Sequence, residues 1–276
     1  VPDAAGGMAE TLLLLARTVA YRPYVFAFLA AYLLAAGLAL GARRVACLTG
    51  IVWVTAFVAE YSSTRTGIPF GLYTYLENTR DRELYLANVP FMDSLSFTFL
   101  AFAAYATALT LLAPVKRSAA GTTVPWRLPQ PVVDDRLARS PAVLLLAAAL
   151  FTLIDVVIDP LTLRGDRWFL GLIYTYPHGG LYFGVPLSNF IGWFAVGVVG
   201  LGLYLAADAK LTRRGNGRPI RGEGLLLGVG LYYAVLAFNL TMTFAIGEPL
   251  IGMIGCLVCG VPTLLLVIRL GSASGR

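Results

Sequence analysis

Seven apolar stretches dominate this chain, each near the ~20 residues needed to cross the hydrocarbon core of a bilayer. They are Tyr24–Gly41, Val45–Tyr61, Pro90–Ala113, Pro141–Ile158, Pro186–Ala207, Leu225–Ile246 and Leu250–Ile268. Backbone amides in lipid must be satisfied within their own segment or in a closed barrel, and stretches this long are helices. The expected fold is all-α: a polytopic transmembrane helical bundle of about seven spans. Composition points the same way, with 58% of the 276 residues hydrophobic and 13% charged, against about a quarter charged in a soluble domain. One integral-membrane domain is expected over 1–276, with 1–23 an N-terminal interfacial segment, 24–268 the bundle and 269–276 a tail. Leu12–Leu15 is too short for a signal-peptide core and no basic region precedes it, so Met8–Arg22 reads as an interfacial helix. No internal repeat is evident by eye.

The net charge of +6 does not indicate a nucleic-acid partner, because the basic residues form neither a face nor an aromatic platform. They sit in short connections, where they report topology. One side of the bundle receives Arg43, Arg44, Lys116, Arg117, Arg127, Arg136, Arg139, Lys210, Arg213, Arg214, Arg218, Arg221, Arg269 and Arg276. The other receives about half as many: Arg17, Arg22, Arg65, Arg80, Arg82, Arg164 and Arg167. The positive-inside rule then predicts a multi-pass protein of the cytoplasmic membrane, with the C-terminus in the cytoplasm and the N-terminus outside. The cytoplasmic connections, Pro114–Ser140 and Asp208–Gly224, read as solvated connectors. The opposite ones, Ser62–Val89 and Asp159–Val185, are rich in Tyr, Phe, Trp, Gly and Pro. Such loops are expected to fold back as a cap, since non-helical backbone at that depth needs cover.

Against this background four acids stand out. Glu60 ends the second stretch, Asp93 begins the third, and Asp155 and Asp159 close the fourth. A carboxylate in hydrocarbon is costly and is a functional candidate by default. All four fall towards the non-cytoplasmic side, as do Ser188, Asn189, Asn239, Thr241 and Thr243. Blander readings exist. Asp93 before Ser94 fits a helix cap, and Pro160 disfavours helix at Asp159, making it a turn-off point. Asn189 and Asn239 fit cross-links between helices, Glu248 a turn at headgroup level, and His178 a loop residue. Cys256 and Cys259 lack a second ligand pair, so no metal site is expected; with Cys47 they read as small residues at helix interfaces beside Gly252, Gly255 and Gly260.

Two carboxyl groups in an apolar pocket supply acid–base chemistry, one as proton donor and one as acceptor. Protonating a trisubstituted C=C gives a tertiary carbocation that aromatic faces stabilise. Water then adds, or a proton is lost. No cofactor is required, and none is expected.

Three segments carry a resemblance. Glu60 followed by Gly67-Ile-Pro-Phe-Gly71 and Tyr73-x-Tyr75 is one. Asp155-x-x-x-Asp159-Pro160 followed by Trp168 is the second, with Phe169 where the family has a further tryptophan. The third is Tyr182-Phe-Gly-Val-Pro-Leu-Ser-Asn-Phe-Ile-Gly-Trp193. Together they resemble the integral-membrane carotenoid-biosynthesis family, which includes the gamma-carotene and bisanhydrobacterioruberin hydratases. The resemblance implies a hydro-lyase that adds water across the terminal C=C of an acyclic carotenoid end group, giving a tertiary alcohol. It implies Glu60, Asp155 and Asp159 as catalytic groups. Substrate contacts would come from Asp93, Tyr73, Tyr75, Phe70, Trp168, Tyr182, Asn189, Trp193 and Asn239. The implied partners are lycopene, gamma-carotene or a longer acyclic carotenoid, the lipid bilayer, and other carotenoid-pathway enzymes.

Two other classes remain open from the residues alone. An end-group cyclase or isomerase begins with the same protonated double bond. A non-catalytic carotenoid- or lipid-binding protein, or a transporter, would share the apolar spans. A seven-helix photoreceptor would need a Schiff-base lysine in the last stretch, and Leu250–Ile268 has none.

Overall fold

A computed structural model describes residues 4–116, 129–211 and 219–272. Arg117, Arg127, Arg213, Arg214, Arg218 and Arg276, with much of the two basic connectors and the tail, lie outside the described residues. The helices are α1 (Ala4–Tyr21), α2 (Pro23–Leu40), α3 (Ala42–Thr66), α4 (Phe91–Leu112), α5 (Asp135–Ala138), α6 (Pro141–Thr162), α7 (Leu187–Leu211), α8 (Gly222–Ala245) and α9 (Pro249–Ser272). Among them α2, α3, α4, α6, α7, α8 and α9 are long and apolar enough to cross a membrane. The chain is thus a multi-pass membrane protein, and among the described residues it is all-α apart from three short antiparallel pairings in the connections.

α4 is the axis. Of its most apolar stretch 83% is buried, against 33–44% in the other six spans, which is the pattern of a helix apolar on every side. Ala101, Ala103, Ala104, Ala106 and Ala108 let neighbours approach closely, and α2, α3, α6 and α8 all pack on α4.

Several helix ends depart from the sequence expectation. α3 continues past Tyr61 to Thr66, because Thr64 and Thr66 return their hydroxyls to the carbonyls of Tyr61 and Ser62. It stops at Gly67, which takes the left-handed conformation (φ +76) that glycine adopts at helix ends. α6 does not turn off at Asp159. It runs through Pro160 to Thr162, and the Arg164 guanidinium donates to the Pro160 carbonyl at 2.7 Å. A proline this near the end removes only one helical donor. Asp208 is not in a solvated connector either: it lies buried inside α7, 2.7 Å from Arg44 and 3.0 Å from Arg139. Paired charges tolerate such burial.

The aromatic connections, 67–90 and 163–186, do fold back over one end of the bundle. Thr74–Tyr75 pairs antiparallel with Tyr174–Thr175, and Tyr73, Tyr75 and Tyr174 are buried. Gly192 in α7 permits the close approach, because a side chain there would press on the Pro69 carbonyl and the Phe70 ring. A buried ion pair fastens this layer. Arg22, between α1 and α2, grips Glu83 through two nitrogens at 2.7 and 2.9 Å and donates to the Leu170 carbonyl at 2.5 Å. Among the cysteines Cys259 is buried, Cys47 is half-buried and Cys256 is exposed. Gly252 and Gly255 pack on Phe244 and Leu240, while Gly260 has open space beside it. The helix-interface reading therefore holds for Cys259, Gly252 and Gly255, and not for Cys256 or Gly260.

Candidate active site

The polar groups beneath the capping layer form two clusters. In the first, Glu60 from α3 is buried and accepts from the Ser94 hydroxyl of α4. The Tyr75 hydroxyl lies 2.6 Å from Asp93 Oδ2 and 3.2 Å from Glu60 Oε1. That hydroxyl has one proton for two carboxyl groups. Both contacts are hydrogen bonds only if one carboxyl carries a proton of its own. Asp93 is not a helix cap: Pro90 holds the cap position of α4 and no side chain bonds there.

The second cluster belongs to α6 and α7. Asp155 and Asp159 are four apart on one helical face. The Asn189 amide donates to Asp155 Oδ2 at 2.6 Å and to Asp159 Oδ2 at 2.8 Å. Asp159 also accepts from Tyr174 and, at 3.1 Å, from Tyr176. Its acceptor sites are well supplied. Asp155 differs: it has no exposed surface, and no donor reaches its Oδ1. The Asn189 amide, bonded to both, holds the two aspartates side by side.

The surrounding phenols are fixed as neutral donors. Burial, followed by the charges of Asp93 and Glu60, pushes Tyr75 well above the usual phenol range. Burial and then Glu60 do the same to Tyr73; burial and then Asp159 do so to Tyr174 and Tyr176.

Two adjoining cavities meet at these groups. One, of about 120 Å³, is mostly apolar and lies between α2, α4, α6 and α8; Phe28, Phe97, Trp168, Trp193 and Phe238 line it, with Asp155 and Asn239. The other, of about 40 Å³, is lined by Glu60, Phe70, Tyr73, Tyr75, Tyr176 and Asn189. Asp93, Asp159, Phe97, Tyr174 and Trp193 border both. Trp193 stacks on Phe97 at 4.3 Å and 17°.

The folded chain thus brings together Glu60, Asp93, Asp155, Asp159, Phe70, Tyr73, Tyr75, Trp168, Asn189, Trp193 and Asn239. Tyr182 is the exception. It borders neither cavity, and its ring packs on Phe183 and Phe190. Its segment is a turn, bridged from Tyr182 to Val185, that aims the start of α7 and hence Asn189. His178 is exposed. Glu248 is more than a headgroup-level turn: it accepts from Arg164 at 2.9 Å and from Arg167, tying the end of α6 to the α8–α9 turn. These contacts, the Arg164 hydrogen bond foremost, hold its carboxyl below the usual glutamate range.

Nothing in the sequence singles out Ser94, but a signal for Phe97, Tyr174 and Tyr176 existed. Tyr73-Thr74-Tyr75 recurs as Tyr174-Thr175-Tyr176. Val89-Pro90-Phe91-Met92-Asp93 recurs as Val185-Pro186-Leu187-Ser188-Asn189. The first copies join α3 to α4 and the second join α6 to α7. The tyrosine segments pair with Thr74 opposite Thr175, the register of a local two-fold axis. Phe97 and Trp193, each four residues beyond the matched Asp93 and Asn189, stack on each other. α3 packs on α7 as α6 packs on α4. The expectation of no internal repeat is therefore corrected: a short one frames the site, and Glu60 with Asp93 answers Asp155 and Asp159 with Asn189.

Over residues 18–262 the chain matches a protein family described as Carotenoid biosynthesis protein. It is 28% identical, over 202 residues, to the bisanhydrobacterioruberin hydratase of Haloarcula japonica; the matched part is 69% of this chain and 58% of that relative. The chain therefore spans less than two thirds of that protein's length. No solved structure matches it.

Proposed function

This chain belongs to the carotenoid biosynthesis protein family, and we propose that it hydrates the terminal C=C of an acyclic carotenoid end group to a tertiary alcohol. The observation that carries this reading is the pair of adjoining cavities, one apolar and one polar, with Asp93 and Asp159 in their common wall. An isoprenoid end suits the apolar side. The polar side, at about 40 Å³, has room for a few waters at the ~10–15 Å³ each requires, and hydroxyl, amide and carboxyl groups surround it. A cyclase or a binding protein needs no such water chamber.

In this scheme Asp155 carries the proton, since its Oδ1 has no donor and the residue lines the mostly apolar cavity. It protonates the less substituted alkene carbon. The positive charge develops on the tertiary carbon, beside the faces of Trp193 and Phe97, which attract cations through their ring quadrupoles. Water from the polar chamber, oriented by Glu60, Tyr75 and Asp93, forms the C–O bond and gives its proton to Asp159. Asp159, held beside Asp155 by the shared Asn189 amide, returns that proton to the acid. One water is added, and both carboxyl groups end as they began. Tyr73, Phe70 and Asn239 shape the walls, and Asn189 holds the two aspartates in register.

Expression in a lycopene- or gamma-carotene-producing host tests the reaction. Hydration adds the mass of one water to the pigment, whereas cyclisation adds nothing; unchanged pigment mass with protein present in the membrane rejects both. We also infer that the capping layer faces away from the cytoplasm, from the excess of basic residues at the opposite end. A C-terminal fluorescent fusion that folds only in the cytoplasm checks this, and a dark fusion reverses the orientation.

A further inference from the structure

The apolar cavity has an inner and an outer side. α4 and α6 form the inner one, and α2 and α8 the outer. At the end away from the capping layer, α2 and α8 touch backbone to backbone. A methyl group on Gly224 would collide with the main chain at Ala35 and Ala39, and the Arg221 amide donates to the Ala39 carbonyl at 3.0 Å. Towards the capping layer, rings fill the space between the same helices. Tyr24 and Phe238 stack at 5.6 Å and 18°, and Phe28 meets Phe238 edge-on at 5.8 Å. Phe169, 58% exposed, rests on Tyr24 at 5.6 Å. Tyr24, Phe28 and Phe238 themselves line the cavity. A single aromatic layer thus separates the cavity from the outer surface, between two helices pinned at their far ends.

The route through the capping layer is closed. Arg22 binds Glu83 and the Leu170 carbonyl there, and the two tyrosine segments pair across the top. That route also leads towards water, which a long hydrocarbon avoids.

We propose that the aromatic layer is a lateral door, through which an acyclic polyene enters from the lipid between α2 and α8, with Phe238 as the ring that moves. The terminal C=C reaches Asp155 while the remainder of the polyene stays outside, because about 120 Å³ accommodates an end group and not the whole chain. This rests on the reading of the site as one for an acyclic carotenoid end.

A reversible plug tests it. Phe238→Cys is made in a chain with Cys47, Cys256 and Cys259 replaced by alanine, reconstituted in vesicles and labelled with a benzyl methanethiosulfonate. Lycopene added in donor vesicles quenches tryptophan fluorescence on arriving beside Trp168 and Trp193. Labelling is expected to slow quenching by about tenfold or more, and reduction of the mixed disulfide to restore it. The same label at Leu34→Cys, on the exposed side of α2, leaves the rate unchanged. Phe28→Cys provides a second door position if Phe238→Cys does not accumulate. Unchanged quenching in labelled door variants overturns the door, and so does its absence in unlabelled protein with both lycopene and gamma-carotene. Product mass is read from the same samples. Quenching that responds to the label without any hydrated product leaves the door standing and removes the proposed reaction.

Discussion

At the scale of single residues, the two aspartates of α6 differ in their neighbours more than in their chemistry. Asp155 has one donor and an open oxygen, whereas Asp159 accepts from two phenols and an amide. Asp155→Asn keeps the shape and the Asn189 neighbour but removes the proton, so product formation is expected to fall by about 10²–10⁴-fold with pigment still bound. Pigment turnover by this variant at the wild-type rate would exclude Asp155 as the acid. Tyr75→Phe keeps the ring and loses the hydroxyl shared by Glu60 and Asp93. Removing a hydrogen bond to charged groups predicts a loss of roughly ten- to a hundredfold, seen as a lowered kcat at unchanged pigment affinity. A rise in KM alone would instead make Tyr75 a wall of the pocket. The carboxyl groups were legible in the sequence because a charge inside an apolar run has few innocent explanations. Ser94 was not, since a hydroxyl is ordinary at a membrane interface, and Tyr174 and Tyr176 were marked only by the short recurrence of Tyr73-Thr74-Tyr75.

At the scale of elements, two charged clamps fix the capping layer, and they should fail differently. Arg22 and Glu83 are almost wholly buried. Arg22→Met strands an unpaired carboxylate and is expected to cost about 3–5 kcal/mol, read as a lowered unfolding temperature in detergent. Replacing both, with Glu83→Leu, should recover most of that loss; a double variant as weak as the single one would mean that the Leu170 contact dominates. The Glu248 clamp is more exposed and contributes about 1 kcal/mol or less. Its carboxyl is held below the ordinary value of 4.5, first by the Arg164 hydrogen bond. A group depressed in this way stabilises the fold above its unfolded value and loses that contribution as pH falls through the folded one. Wild-type and Glu248→Gln melting curves should therefore differ at neutral pH and converge as pH falls through the depressed folded value; a constant gap down to the acid end would show that the clamp does not titrate. The spans themselves were readable from hydropathy, and their ends were not. Pro160 reads as a stop, but the Arg164 guanidinium that serves the Pro160 carbonyl comes from the following loop. Arg22 and Glu83 lie far apart in the chain, so no local pattern announces their pairing, and a lone arginine before a span reads as a topology signal.

At the scale of the whole molecule, the internal repeat and the apolar cavity beside it bear on how a substrate can be handled. The repeat supplies two carboxyl clusters around one small polar chamber, and the apolar cavity between α2, α4, α6 and α8 reaches both clusters at Asp93 and Asp159. Hydropathy made the seven spans legible, but the repeat stayed hidden. Its copies are only a few residues long, and the helices that carry them have diverged into different packing roles, α4 central and α7 peripheral. A cavity of this size, reached from one side, holds one end group per visit. All four carboxyl groups also lie near one face of the bundle, so the two ends of a bilayer-spanning polyene cannot reach them together. On the proposed reaction and door, an acyclic carotenoid with two identical ends leaves, turns and re-enters before its second end reacts. With lycopene in excess over reconstituted protein, the singly hydrated product should accumulate to well above the protein concentration, and the doubly hydrated one should follow after a lag. Adding fresh lycopene midway should deepen that lag, because substrate and half-product then compete for the same door. A doubly hydrated product that appears from the start, with no free intermediate and no response to added lycopene, would require both ends to be held at once, and neither this cavity nor the proposed door provides for that.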